Sequence, residues 1–158
     1  MTPRWVTRTT FGLALAAVAV STYLTIAHFT TTAVLACSGS GTIDCARVTT
    51  SAQSRFLGMP VAVLGLAWSI AMAATCTPSA WRSRVEWIRV VRLVLAVVGI
   101  SFVLWLVFAE LFVIRAICLW CSVMHVLTFA LFVLVALFGV GRAPADNPSG
   151  ETSDARTA

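Results

Sequence analysis

The chain has 158 residues, of which 59% are hydrophobic and only 11% are charged. Soluble domains carry about 25% charged residues, so this composition excludes an ordinary soluble protein and indicates an integral membrane protein. The net charge of +5 would suit a nucleic-acid ligand only if a basic folded face existed, and so apolar a chain has no room for one. We therefore expect the lipid bilayer as a partner and no nucleic acid.

Four apolar stretches are long enough to cross a membrane, because a spanning helix needs about 20 apolar residues. They cover residues 11–29, 59–76, 90–113 and 116–140. We interpret all four as helices, which predicts an all-α fold: an integral membrane four-helix bundle. Arg4 and Arg8 precede the first stretch, as basic residues precede the apolar part of a secretory signal peptide. The stretch is longer than is usual for a signal peptide, however, and three further apolar stretches follow it. We therefore interpret the first stretch as a membrane span.

The arginines predict the orientation of the bundle, because cytoplasmic flanks collect Lys and Arg. With the N-terminus inside, only three of the eleven basic residues fall outside, namely Arg47, Arg55 and Arg115. Both termini are therefore predicted to be cytoplasmic, with residues 1–10 as a short lead and residues 141–158 as a disordered tail. At the outer rim, Arg115 is predicted to pair with Glu110.

The sequence Cys118-Leu119-Trp120-Cys121 opens the fourth stretch. Two thiols three residues apart at the start of a helix lie on one face, where they can close and reopen a disulfide. His125 continues the same face, and at about 1.5 Å of rise per residue it lies roughly 6 Å below Cys121. This spacing leaves room for a planar ring beside the sulfur, with a hydrogen-bonding side chain beyond it.

Two further cysteines, Cys37 and Cys45, lie in the predicted outer loop, residues 30–57. The predicted topology thus brings four thiols to the outer side of the membrane, where disulfides can persist. The fifth, Cys76, ends the second stretch on the cytoplasmic side, roughly 27 Å away along the helix. We expect Cys76 to be a free, inert thiol.

Other interpretations of the four outer cysteines remain open. Two static disulfides could staple a tetraspan structural or adhesion protein. Such a staple does not need Cys-x-x-Cys at a helix N-terminus, where the helix dipole favours thiolate. A four-cysteine zinc site fits the ligand count, but the gap from Cys37 to Cys45 is wide for structural zinc. We therefore expect no metal.

These motifs resemble the vitamin K epoxide reductase family over nearly all of residues 10–140. The resemblance rests on Cys37 with Cys45, on Cys45-Ala46-Arg47-Val48 followed by Ser51, on Leu57-Gly58-Met59-Pro60 followed by Gly65, and on Cys118-Leu119-Trp120-Cys121. It implies a four-helix bundle around a quinone pocket, with an outer loop or short helix carrying two cysteines. It also implies that Cys118 and Cys121 are the active-site pair, that Cys37 and Cys45 are the shuttle pair, and that Cys121 faces the quinone.

Two positions depart from the vertebrate members of that family. Their tyrosine four residues after the last cysteine is replaced here by His125, which can still donate a hydrogen bond to a quinone oxygen. Their pocket asparagine falls at Ser54. The resemblance thus implies that His125, Ser54 and Ser51 contact the quinone, which is menaquinone or ubiquinone. Whether vitamin K epoxide itself is a substrate stays open.

The expected function is a quinone-dependent thiol-disulfide oxidoreductase that supports disulfide bond formation. In proteins of this family the loop pair takes electrons from a thioredoxin-fold partner and passes them to the pair on the last helix. A small polar tail follows Val140, so we expect an extracytoplasmic thioredoxin-fold thiol oxidase to act in trans. Arginine without lysine suggests a high-GC bacterial source and hence the plasma membrane.

Two alternative functions would also make the protein an enzyme. One is a vitamin K epoxide or quinone reductase in a vitamin K cycle. The other is the disulfide bond formation protein B family, which has its Cys-x-x-Cys in the first outer loop, the reverse of the order here.

Overall fold

The fold was analysed in a computed structural model that describes residues 3–30, 43–83 and 85–139. Four long helices form the body: α1 (Arg4–Thr30), α3 (Val61–Thr75), α5 (Glu86–Phe108) and α6 (Leu119–Gly139). Two short helices, α2 (Cys45–Thr49) and α4 (Pro78–Arg82), lie in the connections, and a 3₁₀ turn covers Ala52–Ser54. A π-helical segment, Ala109–Ile114, extends α5. The predicted disordered tail and Cys37 lie outside the described residues.

The four long helices pack as one bundle, with α1 and α5 each in contact with both α3 and α6. Within the described residues, three helices are long and apolar enough to cross a membrane: Arg4–Thr30, Glu86–Ile114 and Leu119–Gly139. The helix Val61–Thr75 is equally apolar but shorter. The prediction of an all-α membrane bundle is therefore confirmed.

The helix ends differ from the ends of the apolar stretches. The first helix begins at Arg4 and not at residue 11, because the backbone N–H groups of Val6 and Thr7 already donate to the Pro3 carbonyl, at 3.1 and 3.4 Å. The fourth helix begins at Leu119, so Cys118 precedes it. Hydropathy marks where lipid can lie and does not mark where backbone hydrogen bonding starts.

A small hairpin precedes α3 and was not predicted. Strands β1 (Arg55–Phe56) and β2 (Met59–Pro60) pair antiparallel through a two-residue turn. Both turn residues have positive φ, 52° at Leu57 and 84° at Gly58, as a type I′ hairpin turn requires. Glycine adopts that backbone freely, whereas Leu57 does so at a steric cost. The hairpin shortens α3, which begins at Val61 and not at residue 59.

Buried hydroxyls join α1 to α3. The hydroxyl groups of Ser21 and Ser69 lie 2.9 Å apart, so one donates to the other. The hydroxyl that accepts is free to donate its own proton to a carbonyl of its helix, Ala17 for Ser21 or Leu66 for Ser69. Side-chain hydrogen bonds of this kind between membrane helices contribute about 0.6 kcal/mol on average. Small residues at this contact also let the two backbones approach closely.

Helices α3 and α5 meet at Trp68 and Gly99. The indole Nε1 of Trp68 donates to the Leu95 carbonyl at 2.8 Å, which holds the ring against α5. A Cβ at Gly99 would lie 2.5 Å from Cζ2 of that ring. Only glycine therefore permits this helix contact.

At the opposite end of the bundle from Cys118, a charged residue is buried among α3, α4 and α5. The Arg92 guanidinium lies 3.6 Å from the centroid of Trp81 and donates to the Thr75 carbonyl at 3.1 Å. Cys76 is buried nearby as a free thiol, in a core cluster separate from that of Cys118. Its predicted separation from the other cysteines agrees with this placement.

We expect Gly99→Ala to destabilise the protein by about 1–3 kcal/mol, because the new methyl group overpacks against Trp68. Thermal unfolding in detergent measures the change. The matched control is Gly12→Ala in α1, where an added Cβ meets nothing within 4 Å and should cost no stability. Equal stability of the Gly99→Ala protein and the wild type would contradict the proposed tight contact.

Candidate redox site

The N-terminus of α6 carries the Cys-x-x-Cys pair. The backbone N–H of Cys121 donates to the Cys118 sulfur at 3.3 Å, so a sulfur atom caps the first turn of the helix. Cys118 is fully buried, and Cys121 is partly exposed. Both are free thiols. The hydrogen bond therefore holds Cys118, which precedes the helix, beside the first turn of α6, which carries Cys121.

The surroundings of Cys118, which lies just outside α6, favour its thiolate. A hydrogen bond from the Cys121 side chain lowers the pKa of Cys118, and backbone hydrogen bonds from Cys121 and Trp120 act in the same direction. Burial of the sulfur opposes them. The positive end of the α6 dipole also lies at this sulfur. Cys118 is thus suited to act as a nucleophile.

The segment around Cys45 packs against the segment that precedes Cys118. Ile43 bridges to Ile117, and the Asp44 N–H donates to the Ile117 carbonyl at 3.2 Å. The Asp44 carboxylate also caps α2 by accepting from the Arg47 N–H at 2.9 Å, which fixes the start of α2 at Cys45. The structure therefore anchors the loop to the chain directly before the active-site pair.

Cys45 itself is buried and disulfide-bonded. It shares one hydrophobic cluster with Cys118, and the partly buried Cys121 packs against that cluster. The structure thus brings three of the four predicted redox cysteines to one end of the bundle. The fourth, Cys37, lies outside the described residues.

A cavity of about 590 Å³ opens beside Cys121 inside the bundle. This volume lies within the range of small-molecule sites. Cys121, His125, Ser51 and Ser54, the residues that sequence reasoning placed around a flat ligand, all line it, whereas Cys118 does not. Most of the remaining wall is apolar, including Phe56, Leu64, Trp68, Phe102, Val103, Leu106 and Met124.

The cavity fits a quinone in size and chemistry. Its wall is largely hydrophobic, as a flat apolar ring requires, and its few polar side chains can serve carbonyl oxygens. His125 follows Cys121 by one helical turn on the same face of α6. The expected room for a ring beside the Cys121 sulfur is therefore present.

Two titratable residues of the wall, Glu110 and His28, were not predicted to belong to the site. Glu110 was predicted to pair with Arg115, and that prediction is wrong: no ion pair joins them in the described chain, where Glu110 is buried and Arg115 exposed. Arg115 ends the π-helical segment in a left-handed backbone conformation (φ 54°), and its side chain is exposed while that of Glu110 is buried. A lone acid within an apolar stretch was the signal that could have identified Glu110.

A sequence model of the vitamin K epoxide reductase family matches residues 8–136. The chain belongs to this family. The match includes all five cysteines and extends from α1 into the last turns of α6, so the resemblance found in the motifs is confirmed. Membership identifies the chain as a membrane oxidoreductase of a family that uses quinones. A search of curated proteins finds no match.

We expect Gly65→Leu to weaken quinone binding at least about tenfold, which corresponds to about 1.4 kcal/mol. Gly65 lines the cavity, and a Cβ there meets nothing within 4 Å, so a leucine side chain would extend into the ligand space. Quenching of tryptophan fluorescence by an added quinone reports the binding.

The matched control for that experiment is Gly12→Leu, which adds the same side chain to α1 outside the cavity wall. It should bind quinone as the wild type does. If Gly65→Leu is folded and binds equally well, the quinone does not occupy this cavity.

Proposed function

We propose that the protein is a thiol-disulfide oxidoreductase that passes two electrons from a thioredoxin-fold partner through Cys37/Cys45 and Cys118/Cys121 to menaquinone or ubiquinone. One observation carries the proposal: Cys121 lies on the wall of the apolar cavity, while Cys118 lies behind it in the same cluster as Cys45. The active-site pair thus has one cysteine in the buried cluster of the loop cysteine and one on the wall of the ligand space.

The first step is thiol exchange in the outer loop. A thiolate of the reduced partner attacks the disulfide between Cys37 and Cys45, and the partner's second thiol resolves the mixed disulfide. The partner leaves oxidised and the loop pair is now a dithiol. The net result is that two electrons and two protons have moved from the partner to the Cys37/Cys45 pair.

The second step transfers the electrons to α6. Cys45 attacks the Cys118 sulfur of the oxidised active-site pair, which frees Cys121 as a thiolate at the cavity. Cys37 then attacks Cys45, which restores the loop disulfide and leaves Cys118 and Cys121 reduced. The presence of Cys45 and Cys118 in one buried cluster supports this direction of attack.

The last step closes the active-site disulfide again. A quinone bound in the cavity supplies a two-electron, two-proton acceptor. The cap geometry holds the Cys118 sulfur beside Cys121, so the new S–S bond forms with little movement. His125 donates a hydrogen bond towards the ligand space, and Ser51 and Ser54 supply further polar contacts on another part of the wall.

The proposed orientation puts this chemistry on the extracytoplasmic side of the plasma membrane, with both termini in the cytoplasm. Arg4 and Arg8 lie on the first turns of α1, at the bundle end that α4 contacts, and both are exposed. Cys118 lies at the other end. The thioredoxin-fold partner then acts in trans from outside the cell membrane.

A static structural role is less well supported. An adhesion protein with permanent staples has no need of free thiols, and Cys118 and Cys121 are free. A vitamin K epoxide reductase would use the same cavity and cysteines, so the choice of acceptor separates that alternative from the proposed function.

We expect Cys118→Ala and Cys121→Ala to abolish quinone reduction by the purified protein, because neither variant can form the active-site disulfide. Cys76→Ala is the control and should retain wild-type activity, since Cys76 lies in the other core cluster. The assay follows absorbance with ubiquinone, menaquinone and vitamin K epoxide as acceptors. Full activity of Cys121→Ala would refute the proposed relay.

Thiol trapping in membranes is the companion measurement. A redox enzyme shows cysteines whose state follows the quinone supply, whereas a stapled structural protein stays oxidised throughout.

We expect His125→Phe to lower kcat/KM for the quinone by up to about tenfold, because one hydrogen bond contributes about 0.5–1.5 kcal/mol. His125→Tyr keeps an aromatic ring and restores a donor, so it should recover most of the loss. Steady-state kinetics with one quinone compares the two variants. Equal activity of the Phe and Tyr variants would show that no hydrogen bond from this position matters.

A further inference from the structure

Glu110 places a carboxyl group inside the bundle at the redox end. The residue is 6% exposed and lines the cavity together with Cys121 and His125. Within the described residues its carboxyl group makes no hydrogen bond and no ion pair. Acidic side chains inside a membrane are costly, and those that persist mark proton or ligand pathways.

The local backbone does not require this side chain. The Glu110 carbonyl accepts from the N–H groups of Arg115 and Ala116, and these bonds close the π-helical segment. Any residue supplies such a carbonyl, so the π turn leaves the carboxyl group unexplained. π-helical turns inside α-helices occur frequently at functional sites.

The charged groups around the cavity do not neutralise it. Arg115 is exposed, and Arg92 is held at the other end of the bundle by Trp81 and Thr75. The two histidines that line the same cavity, His28 and His125, form no ion pair with Glu110.

Glu110 shares the ligand space with one member of the active-site pair. Glu110, on the π-helical segment, and Cys121, on α6, both line the cavity. A proton carrier between a thiol and a bound acceptor needs this position.

We propose that Glu110 carries the Cys121 proton to the quinone, an inference that rests on the proposed function. When the dithiol is oxidised, two S–H bonds break, one S–S bond forms, and two electrons with two protons reach the acceptor. The Glu110 carboxylate takes the proton from Cys121 and releases it to one quinone oxygen. Cys118 gives its proton to water, and His125 relays one from water to the other oxygen.

The kinetic test uses the full chain with its active-site pair reduced and ubiquinone-1 or menaquinone as acceptor in a single turnover. Glu110→Gln keeps size and polarity but cannot carry the proton, so we expect disulfide closure to slow at least about 10²-fold. Glu110→Asp should recover at least tenfold of that loss. Quinone binding, measured by tryptophan quenching, should stay unchanged in both.

Glu86→Gln is the matched control, because Glu86 is an exposed acid on the same helix and pairs only with Arg89 among the described residues. It should react at the wild-type rate. A Glu110→Gln protein that closes its disulfide as fast as the wild type overturns the inference.

A second readout follows the carboxyl group itself. Time-resolved infrared spectra of the same single turnover should contain a transient carboxyl band in the wild type and in Glu86→Gln that is missing in Glu110→Gln, since the Glu110 carboxylate holds the Cys121 proton before it releases it to the quinone. Absence of that band in the wild type overturns the inference, also where the glutamine variant is poorly folded.

The two readouts separate the inference from the proposed function. If no quinone oxidises the wild-type dithiol, the proposed function is wrong. The inference that Glu110 carries a proton to a quinone is then wrong as well. If the wild type reacts and Glu110→Gln reacts equally well, only the role of Glu110 fails.

Discussion

The hydrogen bond from the Cys121 N–H to the Cys118 sulfur is the interaction on which the site depends. It fixes one sulfur at the helix end, fully buried, and leaves the other on the first turn with access to the ligand space. The two thiols therefore have different surroundings although only two residues separate them. In the proposed relay this difference gives them different tasks: Cys118 receives the loop thiol, and Cys121 faces the acceptor.

The rest of the bundle holds that helix end against the other walls of the cavity. Trp68 packs against α5 because residue 99 is glycine, and the Ser21 and Ser69 hydroxyls join α1 to α3. The hairpin before α3 adds Phe56 and Met59 to the wall. Four helices, none of which could enclose a ligand alone, thus form an apolar space with a few polar groups at one end.

Much of this fold was predictable because lipid imposes a simple rule on sequence. Runs such as residues 90–113 must be helical, since their backbone has no water to bind, and Cys-x-x-Cys at a helix start has few uses other than redox chemistry. The cavity contacts of His125, Ser51 and Ser54 followed from helical spacing and from the family resemblance, and their role in binding stays a prediction.

Other features depend on contacts that no local pattern encodes. The hairpin arises from two successive residues with positive φ, only one of which is glycine. The π-helical segment ends at Arg115 in a left-handed backbone conformation, and there the predicted partner of Glu110 is exposed while Glu110 itself is buried. Likewise, the start of α1 at Arg4 could not be read from hydropathy, because polar residues continue a helix as readily as they end one.

The division of the buried residues into two separate clusters has a consequence for sequence variation. One cluster contains Cys45 and Cys118, and the other contains Cys76, Met72 and Leu131. A change in the second cluster alters how many copies survive cellular quality control, while each surviving copy works at its normal speed. A substitution in the first cluster changes the turnover rate of each molecule. A screen that measures both protein abundance and turnover rate would therefore distinguish positions of the first cluster from positions of the second.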